Sequence, residues 1–207
     1  MIGTLPNHSI TNHLITDQTS DKNYLLTDGE VAKFITYGYH MVALDDLPAG
    51  FHEGIAQQLD VLQSNSGDAI TETVPALWQV LEHPAVVGAL TSLLGHNYRI
   101  NSHCHWHCKE PSSGYMHWHQ DSTNNRKIQV DRFLGLYYPR DITPDMGPTI
   151  IVPGTQFRNA PTDRMATYTN IRGQLPLTVK TGTVVFIHYK LLHGTGENRS
   201  RVRRHMI

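Results

Sequence analysis

The apolar residues of this chain change period once, near residue 95. Before that point the spacing is helical. Val31, Phe34 and Ile35 recur three to four apart behind Thr27 or Asp28, either of which can cap a helix, with Glu30 near the first turn. Leu47-Pro48 punctuates the chain, and Phe51 to Leu62 then puts Ile55, Leu59 and Leu62 on one face. Ser64 to Asp68 has loop composition. Pro75 to Leu81 and Ala85 to Leu94 read as two further short helices, broken at Pro84 and closed by Gly95.

Beyond Gly95 the alternation is that of strands. From Tyr98 to Cys108, Tyr98, Ile100, Cys104 and Trp106 fall on one side, and Arg99, Asn101, His103, His105 and His107 on the other. Further strands are expected at Tyr115 to His119, Phe133 to Tyr138, Thr149 to Val152, Thr183 to His188 and Arg201 to Ile207. Turn residues separate them, as in Asp145 to Pro148, Pro153-Gly154 and Gly194 to Asn198. Helices followed by many short strands predict an α+β domain with a sandwich or barrel core.

Composition narrows the function without naming it. The chain has 207 residues, 39% hydrophobic and 17% charged, and a net charge of −1, so no overall field calls for a nucleic acid or an acidic membrane surface. Met1 to His13 has no basic patch ahead of an apolar run, and Ala85 to Leu94 is too short to span a bilayer. No membrane partner is expected. Cys104 and Cys108, four apart on one strand, are expected as reduced thiols of a cytoplasmic protein. The 14 histidines are less ordinary, since six fall between His96 and His119. Histidine is the commonest metal ligand.

The candidate chemistry lies in Met116-His117-Trp118-His119-Gln120-Asp121-Ser122. On a strand His119 and Asp121 point the same way and can converge on one ion. A distant third ligand is available in His193, behind the apolar run Val184 to Ile187. Two histidines and a carboxylate on one face leave coordination positions open, the arrangement of non-haem Fe(II) oxygenases. Eleven residues beyond His193 stands Arg204, in the alternation of Val202 and Met206, the side expected to face the interior. A buried guanidinium needs an anion, either an internal acid or the carboxylate of a bound dicarboxylate. Arg203 is expected in solvent.

These segments together resemble the phytanoyl-CoA dioxygenase family over roughly residues 25 to 207. The likeness rests on Trp118-His119-Gln120-Asp121, on Gly147 to Thr155, and on His193-Gly194-Thr195 followed by Asn198, Ser200 and Arg204. Leu26 to Phe34, then Gly38-Tyr39, resemble the family's opening helix. The resemblance implies a double-stranded β-helix (jelly-roll, cupin-like) core with N-terminal helices packed outside. It implies iron on His119, Asp121 and His193, and 2-oxoglutarate held by Arg204, Thr195, Asn101 and Tyr137. Members often carry Trp where Tyr137 stands. A single domain over 1–207 is then expected, with 1–25 undefined, 26–95 mainly helical and 96–207 the β-helix core. The chain stops inside a strand where relatives usually continue, so a core cut short at that edge is also expected.

By resemblance the reaction is an Fe(II)- and 2-oxoglutarate-dependent dioxygenation. It consumes O₂, releases succinate and CO₂, and hydroxylates a small organic substrate, with ascorbate as a reductant. Desaturation and ring chemistry stay open, as does the oligomeric state. Asp121 speaks against halogenation, which needs a small residue at that position. Two alternatives remain: a metalloenzyme of cupin type that does not use 2-oxoglutarate, and a non-catalytic metal-binding or sensing protein. His103, His105, His107 and His117 share the faces of Asn101 and His119 and are candidates to line a pocket or to sit in solvent. Trp118 is expected in the core and His188 in a structural role.

Overall fold

Thr27 opens the first helix of the computed structural model with a reciprocal cap. Its hydroxyl accepts from the Glu30 backbone N–H, and the Glu30 carboxylate accepts from the Thr27 N–H at 2.8 Å. The structure describes residues 24–101, 104–122, 130–159 and 169–207. Helix α1 (Asp28–Tyr37) ends at Gly38, whose φ of 79° suits glycine, and a Cβ there would lie 2.6 Å from the Gln156 side chain. Next come strand β1 (Tyr39–Ala43), α2 (Phe51–Asp60), a 3₁₀ turn (Gly67–Ala69), α3 (Ile70–Thr73), α4 (Leu77–Leu81) and α5 (Pro84–Leu94). The break expected at Pro84 does separate α4 from α5, and Pro84 itself begins α5, at the position where a missing N–H costs nothing.

The strands follow as β2 (His107–Lys109), β3 (Met116–His119), β4 (Phe133–Tyr138), β5 (Thr149–Ile151), β6 (Leu175–Pro176), β7 (Thr183–His188), β8 (His193–Thr195) and β9 (Arg204–Met206). All pairings are antiparallel. One sheet runs β1-β7-β4, and the pair β2-β9 joins it through reciprocal backbone bonds between Tyr137 and Ile207 of 2.7 and 3.1 Å. The second sheet runs β3-β8-β5-β6.

Three apolar clusters follow from strand alternation. Val42, Tyr137, Val184 and Phe186 face the helices, where they meet Phe34, Ile55, Leu59 and Leu77. Leu136, Tyr138, Val185, Ile187 and Met206 face the other way and pack on Ile151, Leu177 and Leu191 of the second sheet and its flanks. Trp118, Val152 and Leu192 cover the second sheet's outer side. Trp118 is therefore core, as expected. Each such side chain stabilises the fold by roughly 1.5–3 kcal/mol on burial.

Two expectations need correction. The long strand over Tyr98 to Cys108 shrinks to His107–Lys109. Tyr98 and Trp106 are buried as the alternation required. The Trp106 carbonyl, however, accepts from Asn65 in the loop after α2, and the His105 side chain pairs with Asp68 at 3.0 Å. The terminal strand begins at Arg204, because Asn198 and Ser200 turn the chain around the Val202 carbonyl and leave Val202 exposed. Strands β1, β6 and β8 were not anticipated. Cys104 and Cys108 are free thiols that burial pushes up to about 11. No helix among the described residues is long and apolar enough to cross a membrane.

Candidate metal centre

Strands β3 and β8 bring the distant histidines together by pairing His119 with His193. Their rings lie 4.2 Å apart between centroids. Asp121, just past β3, spans them: its Oδ1 is 3.8 Å from His119 Nε2 and its Oδ2 3.7 Å from His193 Nε2. One ligand atom from each residue falls within 4.8 Å of the others, and among the described residues this is the one group of histidines, cysteines and acids so arranged.

Hydrogen bonds set which nitrogens face the centre. His119 Nδ1 lies 2.9 Å from the His117 carbonyl, and His193 Nδ1 lies 2.9 Å from the Leu191 carbonyl. A carbonyl only accepts, so each Nδ1 carries the proton and each Nε2 presents a lone pair toward Asp121. Burial holds His193 below the ordinary imidazole range, the neighbouring His119 lowers it further, and Asp121 partly opposes them. Neutral imidazole is the form that binds metal. The ligand set is thus suited, in tautomer and spacing, to a divalent ion.

Two features hold this geometry. Gly194 lies between the ligand strands, and a Cβ there would sit 2.8 Å from the Met116 carbonyl oxygen. Gln120, buried between the two ligands of its segment, donates to the Arg158 carbonyl at 2.9 Å and to the Lys190 carbonyl. The register also shifts within β3, with Met116 opposite Thr195 but His119 opposite His193. One extra residue on β3 therefore turns Met116 toward the same side as His119. The result is an open cleft of about 570 Å³ lined by Lys109, Tyr115, Met116, His117, His119 and Thr195. His117 thus lines the cleft; Met116, Tyr115 and Lys109 join it without a sequence signal that singled them out.

Arg204 is 2% exposed and faces the interior beside Tyr138 and Met206. Its Nε has no hydrogen-bond partner, its Nη1 reaches only the Met206 sulfur at 3.7 Å, and no carboxylate among the described residues lies within ion-pair distance. Burial lowers its proton affinity, and Tyr138 and Cys108 only partly oppose it. The internal ion pair left open by the sequence is absent there. Thr195 accepts from the Met116 N–H at 3.1 Å, and its Cα pairs with Thr149, whose hydroxyl accepts from Tyr138 at 3.1 Å. Lys109 pairs in register with Arg204, and burial followed by the charge of Arg204 lowers its pKa.

The remaining candidates fall elsewhere. Tyr137 points away from the ligands, into the cluster under the helices, where its hydroxyl meets His52 Nδ1 at 2.7 Å. Consecutive strand residues face opposite ways, so the aromatic on the Arg204 side is Tyr138. Register alone does not say which of the two tyrosines the helices cover. Asn101 is exposed ahead of β2 and does not line the cleft. His105 and His107 do not line it either, and His103 lies outside the described residues. His188 is buried, its Nδ1 accepting from the Lys190 N–H, which suits a structural role. Arg203 is not merely solvated: it pairs with Glu110 at 3.0 Å and donates to the Asp60 carbonyl at 2.8 Å.

Among curated proteins, no sequence matches this chain significantly. Solved structures do resemble it. HygX from Streptomyces hygroscopicus with nickel and 2-oxoglutarate bound superposes with a TM-score of 0.70 at 16% identity, over 87% of this chain and 85% of that one. The non-haem α-ketoglutarate-dependent carbocyclase SnoK from nogalamycin biosynthesis gives 0.63 at 19% identity, over 87% and 81%. EctD from S. alaskensis, in its apoform, gives 0.64 at 16% identity, over 94% and 81%. At such identities the likeness establishes a shared fold. The sequence profile of phytanoyl-CoA dioxygenase (PhyH) matches residues 42–206, and the chain belongs to that family.

Proposed function

We propose that the chain is an Fe(II)- and 2-oxoglutarate-dependent dioxygenase that hydroxylates a small organic molecule and releases succinate and CO₂. The jelly-roll, or double-stranded β-helix, reading of the two sheets belongs to the same proposal. The observation that carries it is the conjunction of a facial His/Asp/His set with a buried Arg204 that has no protein anion among the described residues. Solved neighbours hold iron, or nickel with 2-oxoglutarate, which supports the same cofactors here.

His119, Asp121 and His193 would hold the iron. When bound, the metal supplies activation of O₂ coupled to oxidative decarboxylation of the keto acid. The chain's own residues do the rest. Arg204 meets the far carboxylate of 2-oxoglutarate, which removes the cost of an unpaired buried cation. The Thr195 hydroxyl accepts from Met116 and keeps its proton to donate to the same carboxylate. Tyr138 and Met206 wall that end of the site and exclude water. Substrate enters through the cleft between Tyr115, Met116 and His117. HygX has been solved with hygromycin B bound, and that neighbour supports a small-molecule substrate of some size.

The test is succinate formation from 2-oxoglutarate with Fe(II) and ascorbate, screened against small-molecule extracts. Asp121→Ala should abolish it. Arg204→Ala should raise the KM for 2-oxoglutarate on the order of 10- to 100-fold, the range for a lost charge-assisted contact. A cupin-type metalloenzyme or a metal sensor would bind metal yet form no succinate under any substrate.

A further inference from the structure

Helix α2 ends in an acid, which is the wrong sign for a helix C-terminus. Asp60 is kept there by three basic side chains converging from other parts of the chain. His205 Nε2 meets Asp60 Oδ1 at 2.7 Å, Arg140 Nη1 donates to Oδ2 at 2.7 Å, and Arg203 Nη1 donates to the Asp60 carbonyl at 2.8 Å. Arg140 is itself gripped by Glu53 through two bonds of 2.7 and 2.9 Å. His205 is 3% exposed, and on its other edge Trp106 Nε1 lies 3.1 Å from Nδ1. An indole N–H only donates, so Nδ1 carries the lone pair and Nε2 donates to Asp60. Both ring nitrogens are used, and the ring has one orientation.

His205 adjoins Arg204 on β9, a strand of three residues. Arg204 and Met206 point inward, whereas His205 points out beneath α2. Among the described residues the guanidinium of Arg204 meets only the Met206 sulfur, and its Nε is unpaired. Its position is therefore set by where the strand lies. Backbone pairing ties β9 to β2 on one side and, beyond its end, to Tyr137 on the other. Within β9 the side chain that anchors the strand against the helical layer is His205, and Arg203, just before the strand, adds a bond to the Asp60 carbonyl.

Resting on the function proposed above, we infer that the Asp60–His205 pair, oriented by Trp106, is a positioning device for Arg204 that sets affinity for the distal carboxylate of the keto acid. It links a helix that touches no ligand to the strand that grips the cosubstrate. The role is positional, since neither residue faces the cleft.

Anaerobic Fe(II) protein titrated calorimetrically with 2-oxoglutarate, and separately with pyruvate, tests this. Pyruvate has the chelating keto acid but no distal carboxylate. Asp60→Ala and His205→Leu, which each remove the bond between the two side chains, should each weaken 2-oxoglutarate about tenfold, of the order of one charge-assisted hydrogen bond. They should leave pyruvate and Fe(II) affinity unchanged. His205→Gln, which keeps a donor near the Nε2 position, should restore most of the loss. In turnover the change should appear in the KM for 2-oxoglutarate and not in kcat. Asp141→Asn, which breaks the exposed pair with Lys180, should change neither ligand. Equal 2-oxoglutarate affinity in wild type and Asp60→Ala would overturn the inference, as would parallel losses for pyruvate. Should His205→Leu not fold, Asp60→Ala and His205→Gln still decide the matter. A wild-type protein that binds no 2-oxoglutarate would remove the functional reading as well.

Discussion

Gly194→Ala places one methyl group where the ligand strands are closest. The added Cβ would lie 2.8 Å from the Met116 carbonyl oxygen and 3.3 Å from that of His117. Ordinary contact begins at 3.4 Å, so the first oxygen must retreat by about 0.6 Å. Both neighbours are backbone, which cannot rotate aside as a side chain can. The strands must part between His119 and His193, whose ligand atoms must meet a metal within roughly 0.2 Å of ideal distances. Overpacking of this kind costs about 1–3 kcal/mol in stability, and metal affinity should fall by about 10- to 100-fold, as for other changes that shift ligand orientation. Gly54→Ala is the control: it lies inside α2 with nothing within 4 Å of its Cβ, and should stabilise by about 0.5–1 kcal/mol. The assays are thermal unfolding of the metal-free proteins and calorimetric titration with Fe(II) under anaerobic conditions. Wild-type metal affinity in Gly194→Ala would refute the claim that close approach of these two strands sets the ligand geometry.

Other perturbations separate binding from stability. Arg204→Met should raise the stability of the metal-free protein by about 1–3 kcal/mol, because it replaces an unpaired buried cation by an apolar chain, while calorimetry finds 2-oxoglutarate binding lost. Tyr137→Phe removes the bond to His52 and should cost about 1 kcal/mol in chemical unfolding without changing the KM for 2-oxoglutarate; Tyr138→Phe should raise that KM. Burial lowers His188 and His205 below the unfolded value of 6.5, so both are neutral in the fold. The unfolded chain then binds more protons as pH falls through 6.5, and stability declines from there toward the lower folded pKa values. The melting temperature of the metal-free protein should drop from pH 7.5 to pH 5.5, with a shallower slope in His205→Gln.

The candidate triad was legible because His119 and Asp121, two apart, converge even though β3 ends at His119, and because the apolar run before His193 marks a buried strand. Arg204 was legible because a charge in an apolar alternation needs a reason. The helices were legible from spacing and caps, down to Thr27 and Glu30. What escaped depended on tertiary context. Tyr137 and Tyr138 are chemically equal in sequence, and only the helical layer over one face tells them apart. The Tyr98 to Cys108 alternation was real as a burial pattern, yet among the described residues its strand pairing begins at His107, and the Trp106 carbonyl before it accepts from Asn65 in the loop after α2. The extra residue in β3 that turns Met116 into the cleft has no local signature, since it exists only relative to β8. The role of His205 was likewise invisible, because its partners Asp60 and Trp106 lie 145 and 99 residues away.

A crystal structure of the protein grown anaerobically with Fe(II) and 2-oxoglutarate tests the central claim most directly. One iron is expected on His119 Nε2, His193 Nε2 and a carboxylate oxygen of Asp121, with the keto acid chelating it and its far carboxylate on Arg204. Iron lodged on other histidines, or 2-oxoglutarate bound with Arg204 still unpartnered, would contradict it.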